Sequence, residues 1–172
     1  IGNVTSDHAP YNIGDPDGKF WAGDNAPFSS IANGVPGLET RMPILFHEGV
    51  VKGRIDLQEF VAITSTNAAK LFGLHPQKGT VSIGADADIV VWDAEKTTTI
   101  SQDILHHATD YTPYEGMQVT GWPAATVARG AVVWKDGEDF CEPGFGKFLA
   151  REPYDYIKPR GVFPTPFNPV AD

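Results

Sequence analysis

Apolar and polar positions follow two different periods along this 172-residue chain. In the first half the spacing is helical. Leu38, Met42, Leu45 and Phe46 share one face of a stretch running to Val51, with Gly49 and Gly53 available to end it. Pro43 either kinks that helix or sits in the first turn of its main part. Asp56-Leu57-Gln58-Glu59 reads as a capping box opening a second helix through Ile63. Ser65 or Thr66 is then placed to cap a third, short helix over Asn67 to Phe72, closed by Gly73. From Lys78 the period shortens to that of strands. Gly79 to Ile83 alternates, Ile89 to Trp92 is a short buried strand, and Thr97 to Ile100 is a further candidate. Tyr111 to Gly121 is expected to be a crossing segment. Ala125 to Ala128 and Ala131 to Trp134 read as two strands about Arg129-Gly130, with Asp136-Gly137 as the next turn.

Ahead of the helices, Val4 to Ser6 are β-formers, and Pro10 cannot continue a central strand, so a strand is expected to stop at Asp7-His8. Residues Ile13 to Pro36 are rich in turn formers, including Asp15-Pro16-Asp17-Gly18. A loop this long inside a compact domain is usually functional or disordered. Phe20, Trp21 and Phe28 give it an apolar side for packing or substrate contact. Beyond Cys141 the chain is loop-like and punctuated by Pro153, Pro159, Pro164, Pro166 and Pro169.

Composition narrows the function classes. Net charge is −9, from 22 acidic and 13 basic residues, and no basic cluster stands out, which argues against nucleic acid and anionic membranes as partners. No apolar run approaches a membrane span, and no signal peptide is visible. The single cysteine, Cys141, excludes an intrachain disulfide and a cysteine-built zinc site. These features suit a cytoplasmic protein. The chain opens on Ile1 rather than Met and its first strand already carries the most reactive-looking residue, so it is expected to be the C-terminal part of a longer protein or one piece of a processed or incompletely sequenced one.

Three groups of residues invite a chemical reading. A carboxylate at a strand end, as Asp7 is expected to be, can ligate a metal and move a proton; it can equally cap the following turn. Asn33-Gly34 can bring backbone groups against a ligand because Gly34 tolerates positive φ, or can be a plain turn. Asp86, Asp88 and Asp93 lack the ligand series of a calcium loop and are better read as turn and strand-edge carboxylates. Adjacent His106 and His107 point in different directions and make a poor chelating pair. His47 is expected to be a surface or packing residue, and Lys70 to lie along its helix.

Five stretches carry a resemblance. Ser6-Asp7-His8-Ala9-Pro10-Tyr11-Asn12, Asn33-Gly34-Val35-Pro36-Gly37-Leu38-Glu39, Ser65 to Gly73, Gly84 to Asp93 and Tyr114-Glu115-Gly116-Met117 occur in the order found in the cyclic amidohydrolases. They resemble the dihydropyrimidinase/hydantoinase family in particular, over Asp7 to about Tyr154. The loop between Asp7 and Asn33 is slightly longer than in that family.

The resemblance implies an α/β fold. Residues 1–74 would be the C-terminal end of a catalytic (β/α)8 TIM barrel, its last strand and following helices. Residues 75–143 would form part of a small β-sandwich, and 144–172 a tail contributing to a homotetramer, docked to about Tyr156 and loosely packed after it. The implied activity is hydrolysis of the cyclic amide of hydantoins or 5,6-dihydropyrimidines to N-carbamoyl amino acids. Two divalent ions would activate water, zinc in the first instance and manganese as the other candidate. Asp7 would ligate one ion and carry the proton to the leaving nitrogen, while the Asn33 backbone would hold the cyclic ureide. The remaining metal ligands would lie upstream, since none of the five histidines matches them. A dihydroorotase or allantoinase-like amidohydrolase, and a non-catalytic dihydropyrimidinase-like scaffold protein, are the competing readings. The scaffold proteins lack the acid at the position of Asp7, and this chain has it.

Overall fold

The computed structural model describes residues 2–151, a mixed α/β arrangement in which helical stretches pack on one open sheet. The expected docking of the tail up to Tyr156 and its looser packing beyond fall largely outside the described residues.

The helical half has two stretches. α1 (Arg41–Leu45) runs without a break into a π-helical turn, Phe46–Val51. Pro43 lies in the first turn of α1, where its missing N–H is no loss. α2 (Leu57–Val61) opens on the expected capping box: Glu59 N–H donates to Asp56 Oδ1 at 2.7 Å and Asp56 N–H donates to Glu59 Oε2 at 3.1 Å. That helix does not stop at Ile63. It continues through a π-helical turn, Ala62–Thr66, into α3 (Asn67–Leu71). The expected cap at Ser65 or Thr66 is therefore corrected. Thr66 is helical, at φ −61° and ψ −43°, and its hydroxyl donates to the Gly79 carbonyl at 2.8 Å instead. The helix ends where expected. Gly73 adopts φ +69°, which lets its N–H reach the Lys70 carbonyl and the Leu74 N–H reach the Ala69 carbonyl.

The second half is an antiparallel meander of four strands in sequence order: β1 (Ile89–Thr99), β2 (Gln118–Ala128), β3 (Ala131–Lys135) and β4 (Glu138–Asp139). Both predicted hairpin turns form. Arg129-Gly130 and Asp136-Gly137 each place two successive residues at positive φ, the geometry that matches strand twist in two-residue loops. Two strand boundaries need correction. The separate candidates Ile89 to Trp92 and Thr97 to Ile100 belong to one strand, interrupted by a bulge between Asp93 and Thr97. The Asp93 carboxylate holds that bulge by accepting the Glu95 and Lys96 N–H groups, each at 3.0 Å. The crossing segment ends earlier than Gly121, because β2 begins at Gln118 and accommodates Pro123 opposite Trp92 beside a second register shift.

Two expected strands are absent. Gly79 to Ile83 is irregular, with Val81 and Ile83 85% and 108% exposed. Gly79 and Gly84 take positive φ, and no strand lies beside this segment among the described residues. Val4 to Ser6 is extended but not part of a sheet. Its Val4 N–H donates to the Ile63 carbonyl at 2.9 Å, and the next contact is a lone parallel bridge between His8 and Val35. A strand needs a hydrogen-bonded neighbour, and the described residues supply only that one bridge.

The two halves meet on aromatic rings. Phe46 packs edge-on to Phe60 with centroids 5.4 Å apart and lies 5.1 Å from Trp92, while Ile100, Val119 and Trp122 form the buried floor of the sheet. His47 joins the same contact, its Nδ1 accepting the Thr120 N–H at 3.1 Å, so it is a packing residue as expected. Gly121 is required here. Its φ is +99°, and a Cβ would lie 2.1 Å from Phe46 Cδ1. A further link joins Glu39 to His106, whose backbone and ring N–H groups both donate to the carboxylate at 2.7 Å. That hydrogen bond, with the charge of Glu39, raises the His106 pKa above its ordinary 6.5.

Gly121→Ala is expected to lower stability by about 1–3 kcal/mol, because overpacking and an unfavourable φ act together; the midpoint of urea unfolding checks this. The Glu39–His106 pair gives its full stabilisation below pH 6.5 and loses it as pH rises through the raised folded value. NMR titration of His106 should therefore show a midpoint above 6.5 that falls back in Glu39→Gln.

Candidate active site

Two segments far apart in sequence lie side by side. The parallel bridge from His8 to Val35 joins the residue after Asp7 to the residue two after Asn33. The approach is close. A Cβ on Gly34 would sit 2.3 Å from Ala9 Cβ, and Gly34 adopts φ +106°. Only glycine meets both conditions, which explains the Asn-Gly pair physically.

Polar contacts from either side hold the apposition. His8 Nδ1 accepts the backbone N–H groups of Gly37 at 3.1 Å and Leu38 at 3.3 Å. These amides precede α1, where Arg41 N–H already reaches back to the Gly37 carbonyl at 3.1 Å. Lys19 braces the other side. Its ammonium donates to the carbonyls of Ala32 at 3.1 Å and Gly34 at 2.7 Å, the two residues flanking Asn33. The backbone of Asn33 itself is in no hydrogen bond among the described residues. The long loop is anchored once more at Asp110, whose carboxylate accepts the Ile13 and Gly14 N–H groups at 2.8 and 2.7 Å. Those two donors hold the Asp110 pKa below the usual carboxylate value.

Asp7 lies exposed at the edge of a cleft of about 380 Å³ that His8, Val35, Gly37, Arg41, Glu48 and Tyr114 also line. Its carboxylate takes no hydrogen bond among the described residues, so it is not the turn cap that the alternative reading requires. Arg41 reaches the same wall through Ser6 Oγ at 3.5 Å. Asn33 is exposed as well.

The other candidates are committed elsewhere. Asp86 and Asp88 both pair with Lys78, at 2.9 Å in the case of Asp86, and Asp88 also accepts the Arg129 N–H at 2.8 Å. Hydrogen bonds from Lys78 lower both carboxylate pKa values, and theirs raise that of the lysine. His107 points away from His106. Its Nε2 bonds Gln102 Oε1 at 2.9 Å, its Nδ1 bonds Thr109 Oγ1 at 3.1 Å, and burial pushes its pKa down. Among the described residues no group of three or more His, Cys, Asp and Glu could hold a metal.

Three residues of this site carry no flag in the sequence reading: His8, Lys19 and Asp110. His8 stands beside Asp7 in the motif, so its neighbourhood was visible but its acceptor role was not. A lone lysine in a polar loop has no signal at all. Asp110 differs from the other acidic residues only through a contact made 96 and 97 positions away.

Comparison with known proteins identifies the family of this chain. A model of the amidohydrolase family matches residues 4–133. The chain is 50% identical over 127 residues to a D-hydantoinase of Geobacillus stearothermophilus, covering 74% of this chain and 27% of that protein. It is 45% identical over 144 residues to a dihydropyrimidinase of Rattus norvegicus, covering 81% of this chain and 28% of that protein. A solved structure of D-hydantoinase (dihydropyrimidinase) from Thermus sp. superposes with a TM-score of 0.82 at 42% identity, covering 89% of this chain and 32% of that one. The chain thus spans little more than a quarter of the length of these curated relatives. On the family match and these likenesses together, the chain belongs to the amidohydrolase family, and within it to the dihydropyrimidinase/D-hydantoinase group.

Proposed function

We propose that this chain is the C-terminal part of an enzyme that opens the cyclic amide of hydantoins and 5,6-dihydropyrimidines, releasing N-carbamoyl amino acids. The observation that carries the reading is the close contact of His8 and Ala9 with Val35 and Gly34, which links the segment of Asp7, whose carboxylate takes no hydrogen bond among the described residues, to the loop of Asn33, whose backbone takes none there either. Residues 1–74 are assigned to the end of a (β/α)8 TIM barrel, 75–143 to part of a β-sandwich, and 144–172 to a tail at the subunit contact of a cytoplasmic homotetramer. The acid at position 7 speaks against a non-catalytic scaffold. The names of the relatives favour hydantoin and dihydropyrimidine substrates over dihydroorotate or allantoin.

The donor set bears on the metal that this family implies. Asp7 suits a divalent ion as one ligand, being an exposed carboxylate with no hydrogen-bond partner among the described residues. The described residues contribute that single ligand and not a set. Two divalent ions, zinc or manganese, would lower the pKa of a water and polarise the ring carbonyl when bound. The chain's own work is then clear. An Asp7 carboxylate oxygen takes the proton of the attacking water and hands it to the departing ring nitrogen. The Asn33 N–H and C=O hold the ureide, which presents complementary C=O and N–H groups, so that its carbonyl faces the nucleophile. Lys19 keeps those backbone groups still by pinning the carbonyl on either side.

In the complete zinc-loaded enzyme, Asp7→Asn is expected to lower kcat for hydantoin and dihydrouracil by about 10²- to 10⁴-fold and to reduce bound zinc measured by atomic absorption. Retained turnover would refute the assignment. A faster rate with dihydroorotate than with either of these substrates would favour the sister enzyme. Lys19→Met is expected to raise KM by roughly tenfold through loss of loop position while leaving metal content unchanged, as steady-state kinetics and metal analysis on one preparation would check.

A further inference from the structure

We infer that His8 is a positioning residue that locks the substrate-holding loop to the segment carrying Asp7. The inference rests on the proposed cyclic amide hydrolysis and deepens it. His8 follows Asp7 in the chain, so its imidazole is fixed relative to the acid by one peptide unit. From there Nδ1 reaches across to accept two consecutive backbone N–H groups, Gly37 at 3.1 Å and Leu38 at 3.3 Å. Those amides lie in the turn that leads into α1, ahead of its N-cap Thr40, which makes no side-chain cap bond of its own. A side chain from another segment thus satisfies two backbone N–H groups of that turn.

The consequence is mechanical. Residues 33–35 are held from the lysine side by Lys19, which grips carbonyls only. Residues 37 and 38 are held from the acid side by His8, which grips N–H groups only. Between them, buried Pro36 restricts the chain. Removing Lys19 loosens the loop relative to itself. Removing the His8 side chain loosens it from the Asp7 segment, because the direct links left among the described residues are the single bridge to Val35 and the Ala9–Gly34 contact. Hydrogen-bond acceptance at Nδ1 places the hydrogen of the neutral ring on Nε2, the nitrogen not turned to these amides. His107 has its ring centroid 6.4 Å from that of His8. It is already bonded at both nitrogens to Gln102 and Thr109, so it does not compete for the His8 acceptor.

The inference separates two properties of histidine. What matters is an acceptor one ring bond from Cγ, which an asparagine Oδ1 reproduces and a glutamine Oε1, one carbon further out, does not. Three variants of the complete metal-loaded enzyme test it: His8→Leu, His8→Asn and His8→Gln. In His8→Leu and His8→Gln, KM for hydantoin should rise on the order of ten- to a hundredfold, with bound metal unchanged and with faster hydrogen exchange at the Gly37 and Leu38 amides. His8→Asn should restore most of KM and the slow exchange. Unchanged KM and exchange in His8→Leu would overturn the inference. So would an Asn variant as impaired as the Gln variant, or loss of metal in His8→Leu, which would place the role on Asp7 instead of the loop. If His8→Leu does not fold, the Asn and Gln pair decides alone. An unmodified enzyme that opens neither hydantoin nor dihydrouracil would sink the hydrolase reading, while the amide exchange would still decide whether His8 holds the loop.

Discussion

Close backbone contact between residues 8–9 and 34–35 is the constraint on which the candidate site depends. It brings together a carboxylate and a loop tip separated by a long run of turn-forming sequence, and it does so where no side chain can intervene. Such contact needs a glycine, hence Gly34, and it needs polar groups to hold the loop against its own entropy. His8, Lys19 and Asp110 supply them from three directions. Each uses a charged or acceptor side chain to satisfy main-chain groups, a stronger device than loop-to-loop packing in a segment whose Trp21 and Phe28 remain 60% and 88% exposed.

The helix–sheet contact behind the site serves the same end. Phe46, Phe60 and Trp92 join the helices to the meander, and His47 ties the π-helical turn directly to β2. The Glu39–His106 pair fastens the residue after Leu38 to the segment between β1 and β2. Asp110 in that segment then reaches back to Ile13 and Gly14. The long loop is therefore braced through the segment between β1 and β2 as well as through its neighbour in the candidate site.

Local signals in the sequence were read well where the physics is local. The capping box at Asp56, the close of α3 at Gly73 and both two-residue hairpin turns follow from residues within a few positions of each other. The failures all involve partners far away in the chain. The Thr66 hydroxyl goes to Gly79 rather than to its own helix start, so a cap becomes mid-helix. The alternating run Gly79 to Ile83, and Val4 to Ser6, have the composition of strands but no neighbour among the described residues. The bulge at Asp93 and Pro123 within β2 hid the true strand lengths. In the candidate site, Asp7 and Asn33 are proposed from a motif, whereas the contacts of His8 and Lys19 are visible only in the structure, because accepting from or donating to a distant backbone group leaves no pattern in the sequence.

The account stands on one carboxylate and one stretch of backbone facing the same ligand. A crystal structure of the complete protein with zinc and a bound cyclic ureide, phased to show anomalous density, tests this most directly. It should place a zinc peak about 2.0–2.2 Å from an Asp7 oxygen and the ureide within hydrogen-bond distance of the Asn33 backbone. Zinc bound with Asp7 still turned to solvent, or a ureide held away from residues 33–35, would contradict it.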